Sequence, residues 1–218
     1  MFKKTLGLLM AAVMTLSLAA CGQAAPSSSE PAPSHEPAAS NEAPESQEAE
    51  SSEVETSSDD GKTLVVYFSW SGNTEAMAAH IAEQTGGTLL KIEPQTPYPE
   101  DYNETGDVAE KERDENARPE IANLPDSIEE YDTILVGYPI WWHTAPMIIG
   151  TFLENYDLTG KEIYPFTQSA SMDAEQFENS MNFVRENAAN ATVHEGLFVR
   201  KSDTDGMDAY LTENGLAQ

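Results

Sequence analysis

The apolar run Thr63-Leu64-Val65-Val66 breaks at Tyr67 into YFSWSGNTE (67–75), and a helix pattern follows at once. A continuous apolar run of this length suits a strand covered on both faces. Behind it, Met77, Ala78, Ile81 and Ala82 recur at helical spacing. Few folds accommodate a buried strand that turns into a helix within five residues. The turn itself is rich in small polar groups: Ser69, Ser71 and Thr74 offer hydroxyls, and Gly72 lets the backbone approach closely. The first N–H groups of a helix have no partner within it, so such a turn can hold an anion. No Lys or Arg lies in the loop, so a phosphate there would be held by neutral donors and the helix dipole. The same residues also suit an ordinary strand-to-helix turn capped by Thr74. The patterns GxxxxGK[ST] and GxGxxG are absent, which disfavours nucleoside triphosphates and dinucleotides and leaves a single phosphate or mononucleotide as the better fit.

Strand and helix patterns alternate over the rest of the chain. Strands are expected at 64–68, 89–92, 133–137, 163–166 and 192–199. Helices are expected at 74–84, 104–116, 146–155, 173–187 (burying Phe177, Met181 and Val184) and 207–211. Gly86-Gly87 stops the first helix, and Pro94, Pro97 and Pro99 punctuate the loop before the second. Five strands each followed by a helix predict an α/β fold, a doubly wound five-stranded parallel sheet. Ligands in such sheets sit beyond the C-terminal strand ends at the topological switch point. The loops after strands one, three and four are therefore the ones to inspect.

The N-terminus reads differently. Residues 1–20 carry Lys3 and Lys4, then an apolar stretch too short to span a bilayer comfortably, ending Leu18-Ala19-Ala20 before Cys21. This is the pattern of a secretory signal peptide. Its end resembles the bacterial lipoprotein cleavage box, which implies that Cys21 is lipidated and becomes the first mature residue. Cys21 is the sole cysteine, so no disulfide accounts for it. Residues 21–61 are dominated by Ser, Ala, Pro and Glu, with no Lys, Arg or aromatic residue. Such a segment cannot bury a core and reads as a disordered tether with a span of roughly 35 Å r.m.s.. The expected location is the extracytoplasmic face of the cell membrane, held by the lipid anchor only. Ten of the 38 acidic residues and two of the 11 basic ones precede Lys62, which leaves residues 62–218 with a net charge of −19. Nucleic acid is not an expected partner of so acidic a domain.

The third loop, Gly137-Tyr138-Pro139-Ile140-Trp141-Trp142-His143-Thr144-Ala145-Pro146, holds two of the chain's three tryptophans side by side. Paired aromatics there suit either core anchors or a flat platform for a planar ring. Together with YFSWSGNTE, PQTPYPEDYNE (94–104), ENARPEI (115–121) and TFLENYDLTGK (151–161), this loop resembles the flavodoxin family. The similarity is strongest to its short bacterial branch, whose third loop typically reads GxPxWWGTxP. The resemblance spans residues 62–218 and implies strand order 2-1-3-4-5 with non-covalently bound FMN. Carried over residue by residue, it implies a cofactor site on three loops. Ser69, Ser71, Gly72, Asn73 and Thr74 would take the phosphate, with Trp70 beside them. Tyr138, Pro139, Ile140, Trp141, Trp142 and His143 would border the isoalloxazine, and Thr167, Gln168 and Ser169 would face it from loop four. Two departures stand out. His143 replaces the branch's glycine, and the branch's T-x-G-G-S-G segment reads Thr167-Gln168-Ser169-Ala170-Ser171-Met172 here. Glycines allow close backbone approach, so their loss alters the expected contact with the ring.

The resemblance implies an electron-transfer protein or flavin-dependent reductase, acting on a redox partner protein or a small-molecule acceptor such as a quinone. The chemistry then belongs to the flavin, and no catalytic acid or base is identified. A net charge of −19 is expected to disfavour added negative charge on the reduced ring. The rival reading is a flavodoxin-fold binding module that has lost FMN and presents its acidic face or Trp141 and Trp142 to another ligand. His80 on the polar face of the first helix and His194 in the last strand read as structural, and residues 110–115 as a solvated acidic face. No HExxH, CxxC or GxSxG pattern is present, so neither a metal site nor an esterase elbow is supported.

Overall fold

A computed structural model describes residues 62–218. The expected signal segment, the tether and the lipidation site Cys21 lie outside the described residues.

Strands β1 (Lys62–Tyr67), β2 (Thr88–Lys91), β3 (Tyr131–Pro139) and β4 (Glu162–Gln168) alternate with helices α1 (Asn73–Thr85), α2 (Tyr102–Asp114), α3 (Met147–Glu154) and α4 (Ala174–Asn187). Two short strands, β5 (Thr192–Val193) and β6 (Leu197–Phe198), precede α5 (Thr204–Glu213). The sheet is parallel in the order β2-β1-β3-β4-β5, as expected, with β6 also paired to β4. The two-residue period of the strands assigns side chains to its faces. Leu64, Val66, Ile134, Val136 and Tyr138 join Ile148, Ile149 and Phe152 of α3 and Val184 of α4. Val65, Tyr67, Leu135 and Phe166 join Met77, Ala78 and Ile81 of α1 and Met207 and Leu211 of α5. Each of these aliphatic side chains gives about 1.5–3 kcal/mol on burial. This is why β1 must read as an unbroken apolar run.

Gly137 fixes the fit of the two central strands. It lies opposite Phe166, and a Cβ on it would stand 2.2 Å from Phe166 Cζ. Two expectations are corrected. The last strand is not continuous over 192–199: it breaks at His194–Gly196, where His194 stacks on Tyr164 at 4.1 Å. Gly196 there lies close enough to Met181 that a Cβ would come within 2.5 Å of its sulfur. Phe177 is only half-buried, because it stacks on Phe198 at the sheet's open end, and Ser180 takes the interior position instead. His194 pairs with the carboxylate of Glu162. His80 pairs with Asp208 of α5 at 2.7 Å.

α2 stands apart from the layered core. It buries only Thr105 and Ala109 and packs on α3. Side-chain bonds pin it: Thr105 Oγ1 donates to the Pro99 carbonyl, and the Tyr98 hydroxyl donates to Glu112.

Candidate functional site

The strand order reverses between β1 and β3, and the loops after β1, β3 and β4 meet there. At the β1 end, Gly72 adopts φ +78 as the residue before α1 and has no side-chain cap. The first backbone bond of that helix runs from the Ala76 N–H to the Gly72 carbonyl at 3.1 Å. The N–H groups of Asn73, Thr74 and Glu75 are thereby left without a helical acceptor. Thr74 does not cap the helix; it is buried inside its first turn. Most telling is Ser69, whose buried Oγ has no hydrogen-bond partner and is alone in this among the described residues. Buried polar atoms are nearly always satisfied, so an orphan beside three free amide donors marks a place for an acceptor-rich group.

Next to this end lies a cleft of about 570 Å³. Loop one contributes Trp70, whose indole N–H donates to the Pro99 carbonyl at 2.9 Å. Loop three contributes Ile140, Trp141, Trp142 and His143, and loop four Ser169, Ala170 and Ser171. The remaining wall is the N-terminal half of α2, from Tyr102 to Ala109, with Gln176 of α4. The sequence reading missed this wall because a charge-rich helix reads as solvated. One signal was present: Gly106, a helix-interior glycine that costs about 1 kcal/mol against alanine. Open space stands where its Cβ would be, so the wall is left bare.

The tryptophans divide their roles. Trp141 is a core anchor as well as a cleft wall, packed edge-on to Phe68 and Tyr98 with centroids at 5.4 and 5.2 Å. Trp142 is 41% exposed; its indole donates to the Gly106 carbonyl at 2.7 Å and lies under Arg113. Trp141 and Thr144 exchange both backbone bonds, at 2.9 and 3.0 Å. The two residues between them, Trp142 and His143, have φ +47 and +66. This is the positive-φ pattern of a type I′ turn, so His143 occupies a position suited to glycine.

Several expected residues are placed elsewhere. Tyr138 is fully buried in the core, with its hydroxyl near Ser180 and Met181, and burial pushes its ionisation well up. Its side chain does not reach the cleft. Pro139 ends β3 and is not part of the cleft lining. Thr167 is buried, and its hydroxyl is spent on the Tyr138 carbonyl. Gln168 closes β4 and also stays out of the lining. Ser169 does face the cleft, its Oγ accepting from the Met172 N–H at 3.0 Å. Met172 itself has φ +52, so loop four keeps a left-handed residue at the position of the branch's last glycine. Residues 110–115 are not wholly a solvated face. Glu112 is half-buried, and burial raises its carboxyl above the ordinary range against the opposing Tyr98 hydrogen bond. No cluster of three potential metal ligands occurs among the described residues.

The sequence model of the flavodoxin family matches residues 62–214. Among solved structures, the chain is similar to a protein classed as a flavoprotein from Bacteroides eggerthii, at 33% identity and TM-score 0.63, covering 70% of this chain and 96% of that one. A counterpart from Bacteroides uniformis gives 32% identity and TM-score 0.64 over 70% and 98% of the two chains. A flavoprotein from Lactobacillus acidophilus, solved in complex with FMN, gives 29% identity and TM-score 0.55 over 66% and 97%. None of the curated proteins compared with it matches.

Proposed function

Because the chain belongs to the flavodoxin family, we propose that it is an FMN-dependent electron-transfer protein or reductase, tethered by a lipid on Cys21 to the outer face of the cytoplasmic membrane. The cofactor is supported by the similar Lactobacillus acidophilus protein, which was solved with FMN. The residues present fit that group. The single observation that carries the reading is the orphaned Ser69 hydroxyl beside the free N–H groups of Asn73, Thr74 and Glu75. A phosphate supplies the acceptors these donors lack, and the helix dipole adds about 0.3–1 kcal/mol. The adjoining cleft is walled by Trp70, Trp141 and Trp142, which suits a planar ring.

When bound, FMN supplies one- and two-electron redox chemistry. The chain's own residues bind and orient it. Gly72 opens the approach to the phosphate, and Trp141, braced by Phe68 and Tyr98, keeps its face fixed. Trp142 clips α2 to loop three through Gly106. A redox partner protein or a quinone-type acceptor would approach the flavin at the open edge of the cleft. A module that has lost FMN is favoured by the missing glycines of loop four and by His143 in place of the branch's glycine; the orphaned Ser69 hydroxyl and the paired tryptophans favour the flavin-binding reading.

Titration of FMN into the purified full-length chain tests the reading. Quenching of FMN fluorescence and a bound-flavin visible band are expected; a colourless protein that leaves the fluorescence unchanged would refute it. Fractionation of cells carrying the chain or its Cys21→Ser variant tests the tether, with loss of membrane association expected in the variant.

A further inference from the structure

Three histidines lie among the described residues, and two are committed: His80 to Asp208 and His194 to Glu162. The third, His143, lines the cleft on the strained turn of loop three. Left-handed backbone at a non-glycine residue costs about 1–2 kcal/mol, and strain of this kind collects at functional sites. Among the residues that line the cleft, His143 is the one side chain able to carry positive charge. On the α2 side the same lining carries Asp107 and Tyr102, and Arg113 is engaged over Trp142. The lining residues from loop one, loop four and α4 are all neutral. In a domain of net charge −19, a lone ionisable cation at the ring end carries unusual weight.

We propose that His143 is a pH-gated positive charge that favours the reduced form of bound FMN over the oxidised form. This rests on the FMN reading above. Two electrons from the reductant and one proton from solvent enter the ring; where the imidazole is neutral beforehand, it takes a second proton from solvent. The residual negative charge on the ring then faces a cation, and no bond forms or breaks at His143. The advantage is therefore full at acid pH, where a histidine is charged, and disappears at alkaline pH, where it is neutral.

The test is the reduction potential of FMN bound to the full-length chain, measured with dithionite and reference dyes from about pH 5.5 to about pH 8.5. At the acid end, His143→Gln is expected to lower the preference for reduced over oxidised FMN roughly five- to tenfold, with tenfold equal to about 30 mV for a two-electron couple. At the alkaline end the variant and the parent are expected to coincide. His143→Lys should keep the advantage at both ends, and His80→Gln should follow the parent throughout. If His143→Gln tracks the parent at every pH while still binding oxidised FMN, the proposal fails and the FMN reading stands. Loss of oxidised-FMN binding in both His143 variants would also overturn it, by making the ring a structural contact. Failure of the parent chain to bind FMN would overturn both.

Discussion

Replacing Ser69 by Ala separates binding from stability, because the two effects carry opposite signs. In the ligand-free protein the buried Oγ has no partner, and an unsatisfied buried hydroxyl costs about 1–3 kcal/mol. Its removal is therefore expected to stabilise the ligand-free domain by about 1 kcal/mol, after allowing for the small void left behind. With FMN bound, the same hydroxyl donates to a phosphate oxygen, a charge-assisted bond worth about 1.5–3 kcal/mol. FMN affinity is then expected to fall about ten- to hundredfold. Urea denaturation of the ligand-free protein gives the first quantity, and fluorescence quenching of FMN gives the second. Ser71→Ala is the control, since Ser71 is exposed and its loss should leave the ligand-free stability nearly unchanged. A Ser69→Ala protein that is less stable without ligand, or that binds FMN within about twofold of the parent, would refute the assignment of the phosphate end.

Three further outcomes follow from particular contacts. Gly137→Ala forces a Cβ to within 2.2 Å of Phe166 in a fully packed core, so a loss of about 3 kcal/mol is expected by chemical denaturation. Trp142→Phe removes the indole bond to Gly106; about 0.5–1 kcal/mol of stability should be lost, with faster amide exchange concentrated in α2. Glu112 has a raised folded-state pKa through burial, so the folded protein holds that proton more tightly than the unfolded chain. Its contribution is full below the unfolded value and is lost as pH rises through the folded one. Glu112→Gln should therefore gain stability on the parent as pH rises from about 4.5 to neutral, read as the difference in melting temperature at each pH; a constant difference would contradict the raised value.

The alternation of apolar runs and helical periods predicted an α/β fold with a parallel sheet, because burial on both sheet faces calls for apolar residues throughout the strands; the strand order was implied by the family resemblance, and the last strand is split in two. Leu64, Val65 and Val66 had to be apolar whichever side they face. The turn at 69–74 was legible as a strand-to-helix junction, with glycine, hydroxyls and a helix start within six residues. The ring end was not. Whether Trp141 supports a platform or anchors the core depends on Phe68 and Tyr98, which are 73 and 43 residues away in sequence. Tyr138 and Thr167 were assigned to the ring by position in a motif, yet strand register turns their side chains into the interior. The α2 wall was marked in sequence only by the helix-interior Gly106, because its polar residues carry no periodic burial signal, and it is held by Trp142, Thr105 and Glu112 through single hydrogen bonds. Sequence thus determined which elements form, since that follows from local periodicity and backbone chemistry. Only the tertiary structure decided which side chains reach the cleft and left His143 as the cation-capable group on its lining, because that depends on contacts between segments far apart in the chain.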